Sequence, residues 1–419
     1  MRLKDFSQLN PLYKGKDLNS EVSFVPMESL RNNNIDLKEI PFSEGKGKYT
    51  SFKNGDLLIA KVTPCFENGN IAIAKEMKEG IGFGSSEIFV LRMNDLVLNT
   101  YMFYVSQTSK FQDAACATMC GVGGLKRISP MFMKTYELNI PSKEEQQRIV
   151  DYLDARLSSI DKRMAVLEKQ QDAYTRLKKS TIHQAVTRGL NPNIRLKDSG
   201  VEWIGMIPAH WSRFRLKDLG YMYGGLSGKS GDDFRCDDET KTKPYIPFTN
   251  VLNHTVIDTS KLHYVIMGRD EQQNKVKEND LIFLMSSEDY ESIAKSAVVM
   301  GAIGEVYLNS FCRGLRITNK ECYAPFLNYQ LNSEMYRDAL RFEARGFTRI
   351  NIKVDRVASH FISLPPFSEQ QAIAAYLDEK CAKIDAALEN IGKQLEASKR
   401  LKRAVINEAI SGQAKIGNN

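Results

Sequence analysis

The chain has 419 residues, 42% of them hydrophobic and 26% charged, with a formal net charge of +7. This is the balance of a water-soluble globular protein, and its mild basic excess favours an anionic partner such as nucleic acid without deciding against an ordinary solvated surface. No apolar run approaches the ~18 to 20 residues of a bilayer span, the start MRLKDFSQLN has no signal-peptide core, and seven cysteines without a C-x-x-C beside only five histidines argue against a disulfide framework or a zinc site, so a cytoplasmic location is expected.

Residues 1–140 read as a mixed segment of short apolar, β-prone runs and turns. Its loops carry candidate DNA-binding residues: Lys46, Lys48 and Lys53 in EGKGKYTSFK, Lys61, Thr63, Asn68 and Asn70 in KVTPCFENGN, and Lys126 and Arg127 in GGLKRIS. Glycine admits backbone close to phosphates, Lys and Arg neutralise them, and Asn or Arg can pair with base edges. NPLY at 10–13 lacks the second proline of the Asn-Pro-Pro-Tyr tetrapeptide of amino-methyltransferases, and no glycine-rich cofactor loop accompanies it. Asp56 with Glu76 and Lys78 is spaced like a nuclease acidic pair, but NGDLLIA also reads as a turn entering a strand.

Residues 141–190 are expected to form a long helix. Ser142-x-x-Glu145 after Pro141 fits a capping box, and Gly189 with Pro192 marks the stop. The a/d steps Leu153, Leu157, Ile160, Met164, Leu167, Gln171, Tyr174 and Lys178 trace a seam for a second helix, with Leu177 beside it. About 45 residues at ~1.5 Å each give a rod of about 65 to 70 Å. The polar members of the seam, Gln171 and Lys178 here and Ser398 and Lys402 in the corresponding stretch of residues 364–419, are expected to loosen its far end for a further protein.

Residues 191–363 are a second mixed segment that repeats the first in outline. RLKDF (2–6) returns as RLKDL (215–219), SFVPMESL (23–30) as YIPFTNVL (245–252), KNGDLLIAK (53–61) as KENDLIFLM (277–285) and GGLKRIS (123–129) as RGFTRIN (345–351). The apolar stretches match while the loops diverge, as in two domains of one fold that read different targets. Candidate DNA-binding residues here are Lys229, Lys241, Lys243, Arg313, Arg345 and Arg349. GGLSGKS misses the phosphate-loop spacing by one residue.

Residues 364–419 repeat the helix. EQQRIVDYLD at 145–154 and EQQAIAAYLD at 369–378 lie 224 positions apart (369 minus 145). The second seam runs Leu377, Cys381, Ile384, Leu388, Ile391, Leu395, Ser398, Lys402 and Val405 in the same register, with Ser368-x-x-Gln371 as expected cap and Gly412 as stop. The class is therefore α+β, with two mixed α/β domains separated by two long helices. The five histidines are scattered, and no partnered nucleophile or catalytic constellation is visible.

The doubled helix motif, with GVEWIGMIPAHW at 200–211 opening the second half, resembles the specificity subunit of type I restriction-modification enzymes over essentially the whole chain. The resemblance implies two target recognition domains, each for one half of a split double-stranded DNA site. It further implies an antiparallel helix pair that sets their spacing through a pseudo-two-fold and recruits two methyltransferase subunits, joined by restriction (motor-nuclease) subunits. The chain itself would be non-catalytic and hold no cofactor; S-adenosylmethionine, ATP and magnesium belong to the partners. The start at MRLKDF lacks the EWIGMIPAHW leader of the second half, which bears on the first domain's N-terminal edge. A scaffold whose two domains bind proteins is the competing reading, and a nuclease acting alone is a third.

Overall fold

The computed structural model describes residues 1–121, 124–234, 242–268, 270–414 and 416. The chain divides into two compact units, Met1–Lys169 with Ile391–Asn419, and Gln170–Asn390. Helices of eight residues or more among the described residues are α1 (Asn99–Ser106), α2 (Ser109–Ala117), α3 (Lys143–Arg188), α4 (Ala324–Asn332), α5 (Glu334–Phe342) and α6 (Phe367–Ser411).

In the first unit one four-stranded antiparallel sheet has the order Ser7–Leu9, Ile88–Met93, Leu57–Ala60, Ile71–Ile73. Leu57–Ala60 is buried at all four positions, the continuous apolar run of a central strand covered on both faces. A second sheet pairs Glu21–Val25 antiparallel with Lys38–Pro41 and parallel with Ile81–Gly84, and Thr50–Lys53 completes it. The second unit has a sheet of the same order: Gly220–Gly224, Cys312–Ile317, Leu281–Leu284, Ser296–Val298. Beside it Thr242–Ile246 pairs antiparallel with His263–Ile266 and parallel with Tyr307–Leu308. The outline match of the two mixed segments is thus a match of topology.

A buried ion pair anchors each first sheet. Asp56 is 1% exposed, accepts from the Lys53 N–H at 2.8 Å, and takes Arg92 Nε and Nη2 at 2.8 and 2.6 Å. Each partner recurs 224 residues on (56 plus 224 is 280): Asp280, also 1% exposed, accepts from the Lys277 N–H at 2.8 Å and from Arg316 Nε and Nη2 at 3.1 and 2.7 Å. A bidentate guanidinium offsets the desolvation of a carboxylate that also closes the turn into the strand. This is the structural use of the aspartate whose spacing suggested an acidic pair; Lys78 is taken instead by Glu21 and Glu39.

The letters EQQ and YLD have equally local causes. Gln146 is fully buried; its Oε1 accepts the Leu98 N–H at 2.8 Å and its Nε2 donates to the carbonyls of Leu96 and Pro141, both at 2.9 Å. Gln370 does the same with Tyr323 N–H (2.8 Å), Glu321 O (2.7 Å) and Pro365 O (2.8 Å). The glutamine therefore fastens the start of each long helix to the segment leading into α1 or α4. The last letter takes a tyrosine: Tyr104 donates to Asp154, and Tyr329 donates to Asp378 at 2.7 Å.

In each unit α3 and α6 run antiparallel. In the first, Leu153, Leu157, Val405 and Ala409 share one core, and Lys402 Nζ meets Asp161 Oδ1 at 2.6 Å. In the second, Ala185, Val186, Ile373 and Leu377 share another, and Lys178 Nζ meets both Asp385 oxygens at 2.6 Å. The two ion pairs are one pair read twice, since Asp385 is Asp161 plus 224 and Lys402 is Lys178 plus 224. The lysines expected to loosen the seam thus close it. The stops stand where expected, with Gly189 at φ 73° and Gly412 at φ 76°. The Ser142 cap forms, its Oγ accepting the Glu145 N–H at 3.2 Å, whereas α6 begins at Phe367, one residue before Ser368, and the Glu369 N–H donates to Pro366 O at 2.9 Å.

The leader of the second half is built into its unit. Trp211 is fully buried and donates to Glu369 Oε1 at 3.2 Å, and Trp203 stacks on His360 with centroids 4.8 Å apart. Burial depresses the His360 pKa to about 4, and its Nε2 has no partner.

Two predictions follow from this packing. Gln370→Leu strands an N–H and two carbonyls and is expected to cost about 2 to 4 kcal/mol in denaturant unfolding, while its exposed neighbour Gln371→Ala stays within about 0.5 kcal/mol. Because the unfolded chain binds the His360 proton near pH 6.5 and the folded chain only near 4, stability is expected to fall as pH drops through that window. His360→Phe should flatten this pH dependence of the melting temperature.

Candidate nucleic-acid interface

At the outer end of the buried strand Leu57–Ala60 the chain enters the loop 61–70, which a second segment holds in place. Thr63 N–H donates to Lys126 O at 3.0 Å, Thr63 Oγ1 donates to Gly124 O at 2.6 Å, and Ile128 N–H donates to Lys61 O at 3.0 Å. These bonds gather Lys61, Thr63, Lys126 and Arg127, four of the residues read as DNA-binding. Lys61 Nζ lies 5.1 Å from the Phe89 ring and donates to Ser86 O at 3.0 Å. Arg127 grips Glu87 through Nη2 and Nε at 2.7 and 3.0 Å, and that hydrogen bonding holds the Glu87 carboxyl below the usual carboxylate range. Asn68 is exposed on the same loop, whereas Asn70 is buried and its backbone closes the turn onto Cys65 O.

Lys46, Lys48 and Lys53 are exposed residues of the segment that forms the second sheet's Thr50–Lys53 edge. Lys46 is paired with Asp17, and Lys48 Nζ stands 5.0 Å from the Tyr49 ring.

The second unit builds the same place with other side chains. Ile352 N–H donates to Met285 O at 3.1 Å, and Met285 N–H to Phe311 O at 3.0 Å, which repeats the path Ile128, Lys61, Glu87. Where the first unit has the Arg127–Glu87 ion pair, the second has the Arg349 guanidinium 4.3 Å over the Phe311 ring, with Phe248 edge-on to Phe311 at 6.3 Å. Arg313 Nη1 donates to Ser310 O and Cys312 O, and Arg345 Nη1 to Phe342 O and Ala344 O. Lys229 sits apart, its side chain only 9% exposed against Glu271, and Lys243 pairs with Glu305 at 2.7 Å. Lys241 lies outside the described residues.

The hydrogen bonds shift one alignment made from letters. Cys120 and Arg127 exchange backbone bonds at 3.1 and 2.9 Å, as Arg345 and Asn351 do at 2.9 and 2.8 Å, so Arg127 corresponds to Asn351 rather than to Arg349. Sequence reasoning missed Glu87, Phe248 and Phe311. An aromatic two residues ahead of a cation, Phe311 before Arg313 in FCRGLR, was the available signal.

On the helices, Leu153 and Leu377 are fully buried, and Leu157, Leu167, Ile384, Ile391 and Val405 are nearly so. Ile160, Met164, Leu388 and Leu395 are half-buried, and Tyr174 is exposed. Leu177 and Leu401, equivalent under the 224-residue repeat, stand 50% and 46% exposed.

Comparison with known proteins agrees with this duplicated plan. The family model for the type I restriction modification DNA specificity domain matches residues 1–170 and 208–397. The chain belongs to this family. Among similar proteins, the specificity subunit of the Escherichia coli type I restriction enzyme EcoAI is 32% identical over 154 residues, 35% of this chain and 26% of that protein. That of EcoEI, also from E. coli, is 36% identical over 152 residues, with the same shares. The matched stretch is thus about a quarter of those relatives' length. Two solved structures share the fold. A chain described for complex assembly and conformational transition of the type I R-M system has a TM-score of 0.71 at 16% identity, covering 99% of this chain and 97% of that one. The HsdS subunit from Thermoanaerobacter tengcongensis has a TM-score of 0.53 at 17% identity, covering 99% and 96%. Among the described residues no helix is long and apolar enough to cross a membrane, and no group of three or more His, Cys, Asp and Glu is placed to hold a metal ion.

The Arg127–Glu87 pair yields a test. Glu87→Gln frees the guanidinium for phosphate and should tighten retention of mixed-sequence duplex DNA several-fold, whereas Arg127→Ala should weaken it and lower the slope of log affinity against log salt by about 1.

Proposed function

We propose that this chain is the DNA-reading subunit of a type I restriction-modification enzyme. Residues 1–140 and 191–363 form two recognition domains, each reading one half of a bipartite, asymmetric site. Residues 141–190 and 364–419 form the helices that join them. The observation that carries this reading is the pair of equivalent sites on one scaffold: an arginine on a carboxylate in one half, an arginine on an aromatic ring in the other. Equal placement with unequal chemistry suits two unlike half-sites. A duplex turned about a dyad returns the same groove geometry, so two copies of one fold can meet it equivalently.

The repeat also supports recruitment of two copies of one partner. Leu177 and Leu401 offer the same exposed apolar residue at equivalent positions of α3 and α6, as two identical methyltransferase subunits would require; restriction subunits would join that core. Methylation of an adenine taken out of the stack, with S-adenosylmethionine, and the ATP- and magnesium-dependent steps belong to those partners. This chain acts as a non-catalytic address in a soluble cytoplasmic complex.

Co-expression with a type I methyltransferase subunit from the same genome, followed by mapping of N6-methyladenine, should give one split sequence with an adenine modified in each half. Methylation without sequence preference would refute the reading. Leu177→Glu with Leu401→Glu should leave the chain folded and abolish co-purification of the methyltransferase.

A further inference from the structure

Phe347 is 99% exposed, flanked by a fixed turn and by cations. The hairpin that carries it is closed by the paired backbone bonds of Arg345 and Asn351. Gly346 has φ +143°, and a Cβ there would lie 2.0 Å from Arg349 O, so the turn is sharp and demands glycine. Tyr290 Oη donates to Gly346 O at 3.3 Å, and Asn351 Nδ2 donates to Arg349 O at 3.2 Å. The two arginines are themselves held, Arg345 on the carbonyls of Phe342 and Ala344 and Arg349 over Phe311. The ring is therefore presented by a turn with little freedom left to lose.

A single exposed apolar residue is ordinary. What sets this one apart is the cation on each side, and the first unit repeats the glycine turn and the apolar tip with its cations on the following side alone. In the first unit Gly121, φ +150°, follows Cys120 as Gly346 follows Arg345; its Cβ would lie 2.2 Å from Leu125 O, and Leu125 is 55% exposed beside Lys126 and Arg127. An apolar tip between positive charges suits a partner whose apolar interior is bordered by anions. A base stack between two phosphate backbones is that partner, and Phe and Leu are among the wedges that enter base steps. Exposed aromatic rings do stand beside the turn, Phe342 and Phe311 among them, but each carries a guanidinium over its face, Arg345 at 6.0 Å and Arg349 at 4.3 Å, so the apolar tip is bordered by charge rather than by an open apolar surface.

We infer that Phe347 is a wedge that inserts between base pairs of duplex DNA and unstacks one step, with Arg345 and Arg349 on the flanking phosphates. This rests on the DNA-reading function proposed above. Insertion adds a local kink to recognition and lowers the energy needed to take a neighbouring base out of the stack.

The test uses the full chain on relaxed closed circular plasmid DNA of mixed sequence, with topoisomerase I present and DNA retention measured in the same samples. Wild-type protein should leave a change in linking number after deproteinisation. Phe347→Ala should lose half or more of that change while retention falls about tenfold or less, the scale of one lost stacking contact. Phe347→Trp should keep the change and show tryptophan quenching on adding DNA, against a background of only Trp203 and Trp211, both packed within the protein. Absence of retention by the wild type would sink the DNA-reading function itself. Retention with a linking number that Phe347→Ala leaves unaltered would sink the wedge alone.

Discussion

Two copies of one helical pattern, laid in opposite directions, must satisfy each other twice. If position i of the first copy meets position j of the second, then position j of the first meets position i of the second, as in an isologous interface between separate subunits. The ion pairs obey this: Asp161 with Lys402 in one unit, Lys178 with Asp385 in the other. Neither pair is deeply buried, and each contributes about 0 to 1 kcal/mol. Their value is in direction and register, because a parallel pairing or a slip of one residue would break both at once. The buried leucines at the two ends supply most of the cohesion.

The long helices are also continuous with the domains that precede them. Gln146 and Gln370 use both amide N–H donors and leave neither polar atom without a partner, accepting one N–H and donating twice. A buried amide that is fully satisfied specifies a geometry more sharply than apolar packing does, since any rotation strands several partners together. With the tyrosine-to-aspartate bond two turns farther on, each helix has two fixed points on its own domain.

Much of this was legible in the sequence, and the parts that were not share a reason. The helix register, the glycine stops and the matched strands follow from patterns along one stretch of chain. That both halves carry the same central strand follows from the match of NGDLL with ENDLI, whereas the order of strands around it does not. Lys178 and Lys402 were read as weak points because the periodicity of one helix does not say what faces it from another. Adding 224 and reversing the direction would have found both aspartates. The shift between Arg127 and Arg349 arose because seven loop letters carry less information than two backbone hydrogen bonds. The fate of individual cations was hidden for the same reason: Glu87, Glu271 and Glu305, which engage Arg127, Lys229 and Lys243, lie 40 or more residues away in sequence.

The buried aspartate–arginine anchors have a consequence for how such a chain can change over generations. They tie the central strands together from inside, so the outward loops bear little of the weight of folding. A lineage can redraft those loops at small stability cost, since exposed substitutions typically shift stability by less than about 0.5 kcal/mol. The loops can thus be rewritten while the scaffold keeps its shape, in either half without the other.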